Sequence, residues 1–392
     1  MRKILIVLLT LAIILAVPIS TFALSIGAPY SFSSVRLNSV FEYKLSEIDP
    51  YHSLTISSIK SATDFLDNPY KIIECSPSGY MIYDETNGIF TEYSKSSPSP
   101  YLNRFGSLYY CGPTFYYHLD VKTNNLVNPI DTSESIPYYE IEAYSDSCQE
   151  YANLYSTMRN ETVLNYVENS TAGISFAQLI NARGTYSTNS VKTSEVLYPN
   201  FFRNMPEYFG YKSGGYCGYI ALNMIIAYQD KYYNDNVMQN SFWKNYGNSD
   251  FATSPQLKNG NESFTHYIFT NFPTDNILVN GGGSFSSVIA GVSEDYYNSI
   301  NQPLSHSSKI WGTFTKYTIM NELDADNPVI LFGDISHADR TNSLFHGVVL
   351  YRYTHEGGFW NDPVYTVHFG HTNYSEVVLT GILGSIYTIH MN

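Results

Sequence analysis

The 392-residue chain has a formal net charge of −14, with 44% hydrophobic and 14% charged residues. That balance excludes a disordered protein and leaves room for two domains with sizeable cores. A pI near 5.1 excludes nucleic-acid binding through a basic surface.

Arg2 and Lys3 precede an apolar run from Ile4 to Val17, and Thr21-Phe22-Ala23 places small residues where a signal peptidase cuts. We read residues 1–23 as a cleaved secretory signal peptide of a secreted protein that has no membrane contact after cleavage. The apolar run is short for a membrane anchor. The 37 tyrosines suit the β-rich, polar-aromatic surface of an exported protein.

Residues 24–159 read as a β-rich module. Leu54 to Leu66 carries Ile56, Ile59, Ala62 and Phe65 at helical spacing and predicts a short helix before Pro69. Ile72–Cys75, Tyr80–Tyr83 and Ile89–Tyr93 predict a strand meander, broken by Ser-Pro-Ser-Gly and Asn87-Gly88 turns. A further strand is expected at Phe115–His118 and a helix over Glu140–Met158. Cys75, Cys111 and Cys148 allow one disulfide, for which Cys75–Cys111 is the first choice. His118 beside Asp120 reads as a strand end, not a base. A module with no catalytic constellation suggests a propeptide or accessory domain. Residues 160–200 turn polar and weakly periodic, which reads as a linker with nick sites at Arg183-Gly184 and Lys192-Thr193.

Residues 201–392 hold the chemistry. Gly214-Gly215-Tyr216-Cys217-Gly218 runs into an apolar stripe of Ile220, Met224, Ala227 and Tyr228. A cysteine opening a helix meets unpaired N–H groups and partial positive charge, which favour its thiolate. A buried, inert thiol is the competing reading. Helices are expected over Phe285–Ile300 and Tyr317–Leu323. Strands are expected over Pro328–Gly333, His346–Tyr351, Val364–Gly370, Glu376–Leu379 and Ser385–His390. Helices before strands within one domain predict an α+β fold. The 346 and 364 strands flank Gly357-Gly358 and predict a hairpin that sets His346 opposite residues 368–370. His368 falls in that window as the group orienting His346, with Asn373 as runner-up. His368 and His371 are poorly spaced to chelate a metal from one strand. No metal or cofactor is implied.

Three stretches resemble the papain-like (clan CA) cysteine peptidases, and among them the secreted bacterial streptopain-like group. They are Gly215-Tyr216-Cys217-Gly218-Tyr219-Ile220-Ala221, Phe345-His346-Gly347-Val348-Val349-Leu350-Tyr351 and Tyr365-Thr366-Val367-His368-Phe369-Gly370. Gly79-Tyr80-Met81-Ile82-Tyr83 and Ser99-Pro100-Tyr101 resemble the propeptide of such enzymes. His346 follows Cys217 by 129 residues, close to the roughly 130–150 of that clan. The resemblance implies a thiol on the central helix and a histidine on an antiparallel sheet or barrel. It also implies polypeptide substrates and a prodomain acting as intramolecular inhibitor. The family's asparagine position holds His368, its following tryptophan position holds His371, and its oxyanion glutamine falls on Tyr211. The expected activity is a proenzyme that hydrolyses peptide bonds through a Cys217 thioester, with His346 as base and acid. The alternatives are a Cys-His acyltransferase of transpeptidase type and an inactive surface-binding protein on the same fold.

Overall fold

The computed structural model describes residues 32–130, 132, 135–169, 174–182, 192–205, 216–273, 286–309, 315–333, 346–355, 363–371, 373–381 and 385–391. The proposed signal peptide, the Gly214-Gly215 turn, Tyr211, the Arg183-Gly184 site and the Gly357-Gly358 tip lie outside them.

Among the described residues, fifteen strands join in one mixed sheet flanked by helices, so the protein is of mixed α/β class. The N-terminal half supplies β1 (Thr55–Thr63), β2 (Pro69–Ser76), β3 (Tyr80–Asp84), β4 (Ile89–Ser94), β5 (Leu108–Tyr110), β6 (Tyr116–Asp120), β7 (Asn125–Val127) and β8 (Ser135–Pro137). The remainder supplies β9 (Lys192–Glu195), β10 (His306–Lys309), β11 (Val329–Gly333), β12 (His346–His355), β13 (Val364–His368), β14 (Val377–Thr380) and β15 (Ser385–Ile389). In space the order is β10-β15-β11-β12-β13-β14-β4-β3-β2-β1-β5-β6-β7-β8, with β9 alongside β12. The β1–β5 pair is parallel and the other ladders are antiparallel.

The two halves meet at β4 and β14, where Val378 faces Tyr93 and Leu379 faces Glu92. The largest apolar core crosses this seam. It joins Tyr80, Tyr110 and Tyr116 to the Cys217 helix and to Val349, Val367 and Phe369. A second core packs the helix Phe32–Ile48 on the other face of β2, β3 and β4, through Phe41, Ile73, Met81 and Phe90. No helix among the described residues is long and apolar enough to cross a membrane.

Several expectations need correction. The Leu54 to Leu66 stretch carries the strand β1 (Thr55–Thr63), not a helix. Its apolar spacing of three mimics a helix, but Thr and Ile suit a pleated surface and the residues alternate in exposure until Ala62. The Cys75–Cys111 disulfide does not form, and all four cysteines are free thiols. Cys75 packs under the Phe32–Ile48 helix, while Cys111 lies in a third cluster with Phe115, Tyr117 and Cys148. The polar 160–200 stretch carries helices at Glu161–Glu168 and Phe176–Ala182 and the strand β9. Lys192 and Thr193 sit in that strand opposite His355 and Thr354.

Candidate active site

The helix Cys217–Tyr232 is buried from Gly218 to Asp230. Its apolar residues cover more than one face because it is packed on several sides. Cross-links fix it in place. The Asn223 side-chain amide donates to Thr265 Oγ1 at 2.8 Å, and Asp230 accepts from Trp243 Nε1 and the Met238 amide at 2.9 Å each. Phe269 lies 4.2 Å from the ring of Tyr216 and 5.2 Å from that of Tyr219. Tyr216 is the N-cap and offers no side-chain acceptor to the first turn. Among the described residues, no N-cap side chain offsets the positive end of the helix at Cys217.

Cys217 is half-buried at that end, unlike the other three cysteines. Burial pushes the Cys75 thiol up to about 11. Burial, and next the neighbouring Cys148 thiol, push Cys111 well above the ordinary range. Neither can supply a thiolate near neutral pH.

His346 opens β12, where it pairs with Gly333 of β11. Gly347 brings this strand end against the thiol helix. A Cβ on Gly347 would sit 3.2 Å from the Cys217 carbonyl carbon and from the Gly218 nitrogen and Cα. Those contacts are backbone on backbone, so glycine is what the approach requires. Cys217 and His346, 129 residues apart in sequence, thus flank one helix–strand junction.

The His346 ring is held from the following strand. Its Nε2 lies 3.0 Å from the Phe369 carbonyl oxygen. A carbonyl can only accept, so Nε2 carries the proton and the neutral ring keeps its lone pair on Nδ1. The His371 ring stacks on it at 5.4 Å between centroids and 11° between planes. The hairpin register explains this partner. Val349 faces His368, and three further residues along each strand bring His346 opposite His371.

His368 is therefore not the group that holds His346. It is buried, its Nδ1 accepts the Gly370 amide at 2.9 Å, and its Nε2 donates to the Met205 carbonyl at 3.3 Å. Burial lowers its pKa to about 4, so the ring is neutral. Asn373 does not hold His346 either. It is exposed in the left-handed region with φ 69°, in the turn closed by the Tyr374 amide on the His371 carbonyl. The residues that reading the sequence missed are His371 and the Phe369 carbonyl. A backbone acceptor leaves no mark in a sequence, whereas His371 was visible but stood outside the expected register.

The N-terminal half reaches this junction. The ring of Phe115 lies 3.6 Å from where a Gly333 side chain would start, beside the His346 carbonyl. Tyr116 packs its ring 6.4 Å from that of Phe369.

No family model matches the chain, and no curated protein matches it. Among solved structures, a fragment of prointerpain A from Prevotella intermedia is similar over 84% of this chain and 98% of its own length, at 9% identity and a TM-score of 0.28.

Proposed function

We propose that this chain is a secreted cysteine endopeptidase of papain-like type, made as a proenzyme. The observation that carries the reading is the junction at Gly347, which brings the strand of His346 onto the backbone of Cys217. His346 Nδ1 takes the Cys217 proton, and its Nε2–H stays on the Phe369 carbonyl. That carbonyl stabilises the imidazolium, a role the family gives to an asparagine. The thiolate attacks a peptide carbonyl, and the Cys217 amide donates to the oxyanion. His346 then protonates the leaving amine. Water, with its proton drawn to His346, opens the thioester to the acid and restores the thiol.

The N-terminal half would serve as the inhibitor, since Phe115 and Tyr116 pack beside the His346 strand. Its removal between Leu24 and the 160–200 stretch would uncover the apolar surface beneath Tyr80, Tyr110 and Tyr116. N-terminal sequencing of the secreted, active species tests this. An active form that keeps Tyr80 to Tyr93 makes the half an accessory domain instead. The peptidase reading itself is tested by treating the secreted protein with an epoxide-type thiol inhibitor and mapping the adduct by mass spectrometry. Modification confined to Cys217, with loss of peptide hydrolysis, is the expected result.

A further inference from the structure

Glu92 is a buried carboxyl with no part in the chemistry above. It lies on β4, in the strand pair that joins the two halves, with Leu379 of β14 as its neighbour. It is fully buried. Three phenols donate to it: Tyr116 at 2.7 Å and Tyr80 at 2.8 Å to Oε1, and Tyr110 at 3.2 Å to Oε2. They come from β6, β3 and β5. Tyr374, in the turn after β13, faces it from the C-terminal half, and Tyr101 and Tyr155 lie within its field. On β14, Val378 and Leu379 bring no charge. Among the described residues, the titratable groups that act on this carboxyl are therefore phenols, and none of them is a cation.

Two of these phenols belong to the packing between halves. Tyr116 also touches Phe369, whose carbonyl holds His346, and Tyr374 stacks on the same Phe369 ring. Among the described residues, a negative charge on Glu92 would thus meet phenol donors but no cation at the seam.

We propose that Glu92 is a proton-operated latch on this seam, closed when its carboxyl is protonated and loosened when it ionises. Burial pushes the carboxyl up to about 7, against the pull of the Tyr116, Tyr80 and Tyr110 donors. The unfolded carboxyl titrates near 4.3. The stabilisation is therefore complete below that value and is lost as pH rises through about 7. The latch is tight in mild acid and weak above neutrality. It stands whether or not Cys217 is a nucleophile.

Hydrogen exchange on the full chain reads the seam directly. Peptides covering 89–94 and 377–380 would be followed from about pH 5 to about pH 8, with rates corrected for intrinsic exchange. The corrected exchange should rise by about tenfold or more across that range, and E92Q should flatten the rise. A corrected rate independent of pH in the wild type, or an equal rise in E92Q, overturns the proposal. Should E92Q not fold, Tyr110→Phe provides the second arm. It removes one donor to the carboxylate while keeping the ring, so the rise should extend to higher pH. An unchanged profile there also contradicts the latch.

Discussion

Cys75, Cys111 and Cys148 lie in the N-terminal half, sealed in apolar clusters, whereas Cys217 lies in the C-terminal half, half-buried at a helix start. All four are free thiols in one chain, so what differs is surroundings. Apolar walls raise the pKa of Cys75 and Cys111 by penalising the thiolate charge, whereas a helix N-terminus is a setting that can favour a thiolate. One half uses cysteine as a small core residue and the other places it half-buried at a helix start beside the strand of His346. The same contrast runs through the buried acids and bases. Glu92 is most stabilising when protonated, and His368 is most stabilising when neutral.

Several substitutions sharpen or break that contrast. The largest effect is expected from Cys217→Ser, which should cut peptide hydrolysis by about 10⁴-fold or more with folding unchanged. Cys75→Ser should leave hydrolysis intact in whatever fraction folds. If both variants retained full activity, the division between the thiols would lose its meaning.

Gly347→Ala comes next. Its methyl meets the Cys217–Gly218 backbone at 3.2 Å, so the strand or the helix must move. Urea unfolding should register a loss of about 1–3 kcal/mol, with slower alkylation of Cys217 and unchanged behaviour of the N-terminal thiols. A normal labelling rate would mean that this junction does not set the thiol's reactivity.

For His368, a folded pKa near 4 lies below the ordinary 6.5. The unfolded state therefore binds the extra proton first, and stability is lost as pH falls from about 6.5 toward 4. Replacing His368 with Asn should flatten that acid limb in thermal unfolding while Cys217 remains labelled. An acid limb that persists in the variant would assign it to other groups. The smallest effect is expected at Asn373. Asn373→Ala strains an exposed left-handed position and should cost ~1 kcal/mol, with Asn373→Gly close to neutral. A crippled Cys217 labelling rate in Asn373→Ala would return the orienting role to that residue.

Much of the fold was legible locally. The turns at Gly79 and Asn87-Gly88 delimit β2, β3 and β4, and the apolar stripe after Cys217 predicts its helix. In β1 the spacing of Ile56, Ile59 and Ala62 misleads, because residues three apart suit a helix and the exposed faces of β1 hide the alternation. The orienting partner of His346 was missed for a geometric reason. Each residue by which the centre of a hairpin is misplaced moves the opposite partner by two, and the register slip between Leu350 and Arg352 takes back only one of those residues. His371 rather than His368 therefore arrives beside His346. The seam had no local signature at all. Glu92 and Leu379 are brought together only by the tertiary fold, and a glutamate in an apolar strand reads as a solvent-facing residue until its neighbours are known.

The central claim is that Cys217 and His346 act as a thiolate–imidazolium pair. The most direct test is the rate of Cys217 alkylation against pH, measured by mass spectrometry beside the other three thiols, in wild type and His346→Ala. The account predicts that at about pH 6 Cys217 reacts at least ~100-fold faster than Cys75, Cys111 or Cys148. It also predicts that His346→Ala moves the onset of reaction up toward the ordinary thiol range near 8.5. Equal rates at all four cysteines, or a profile indifferent to His346, would contradict it.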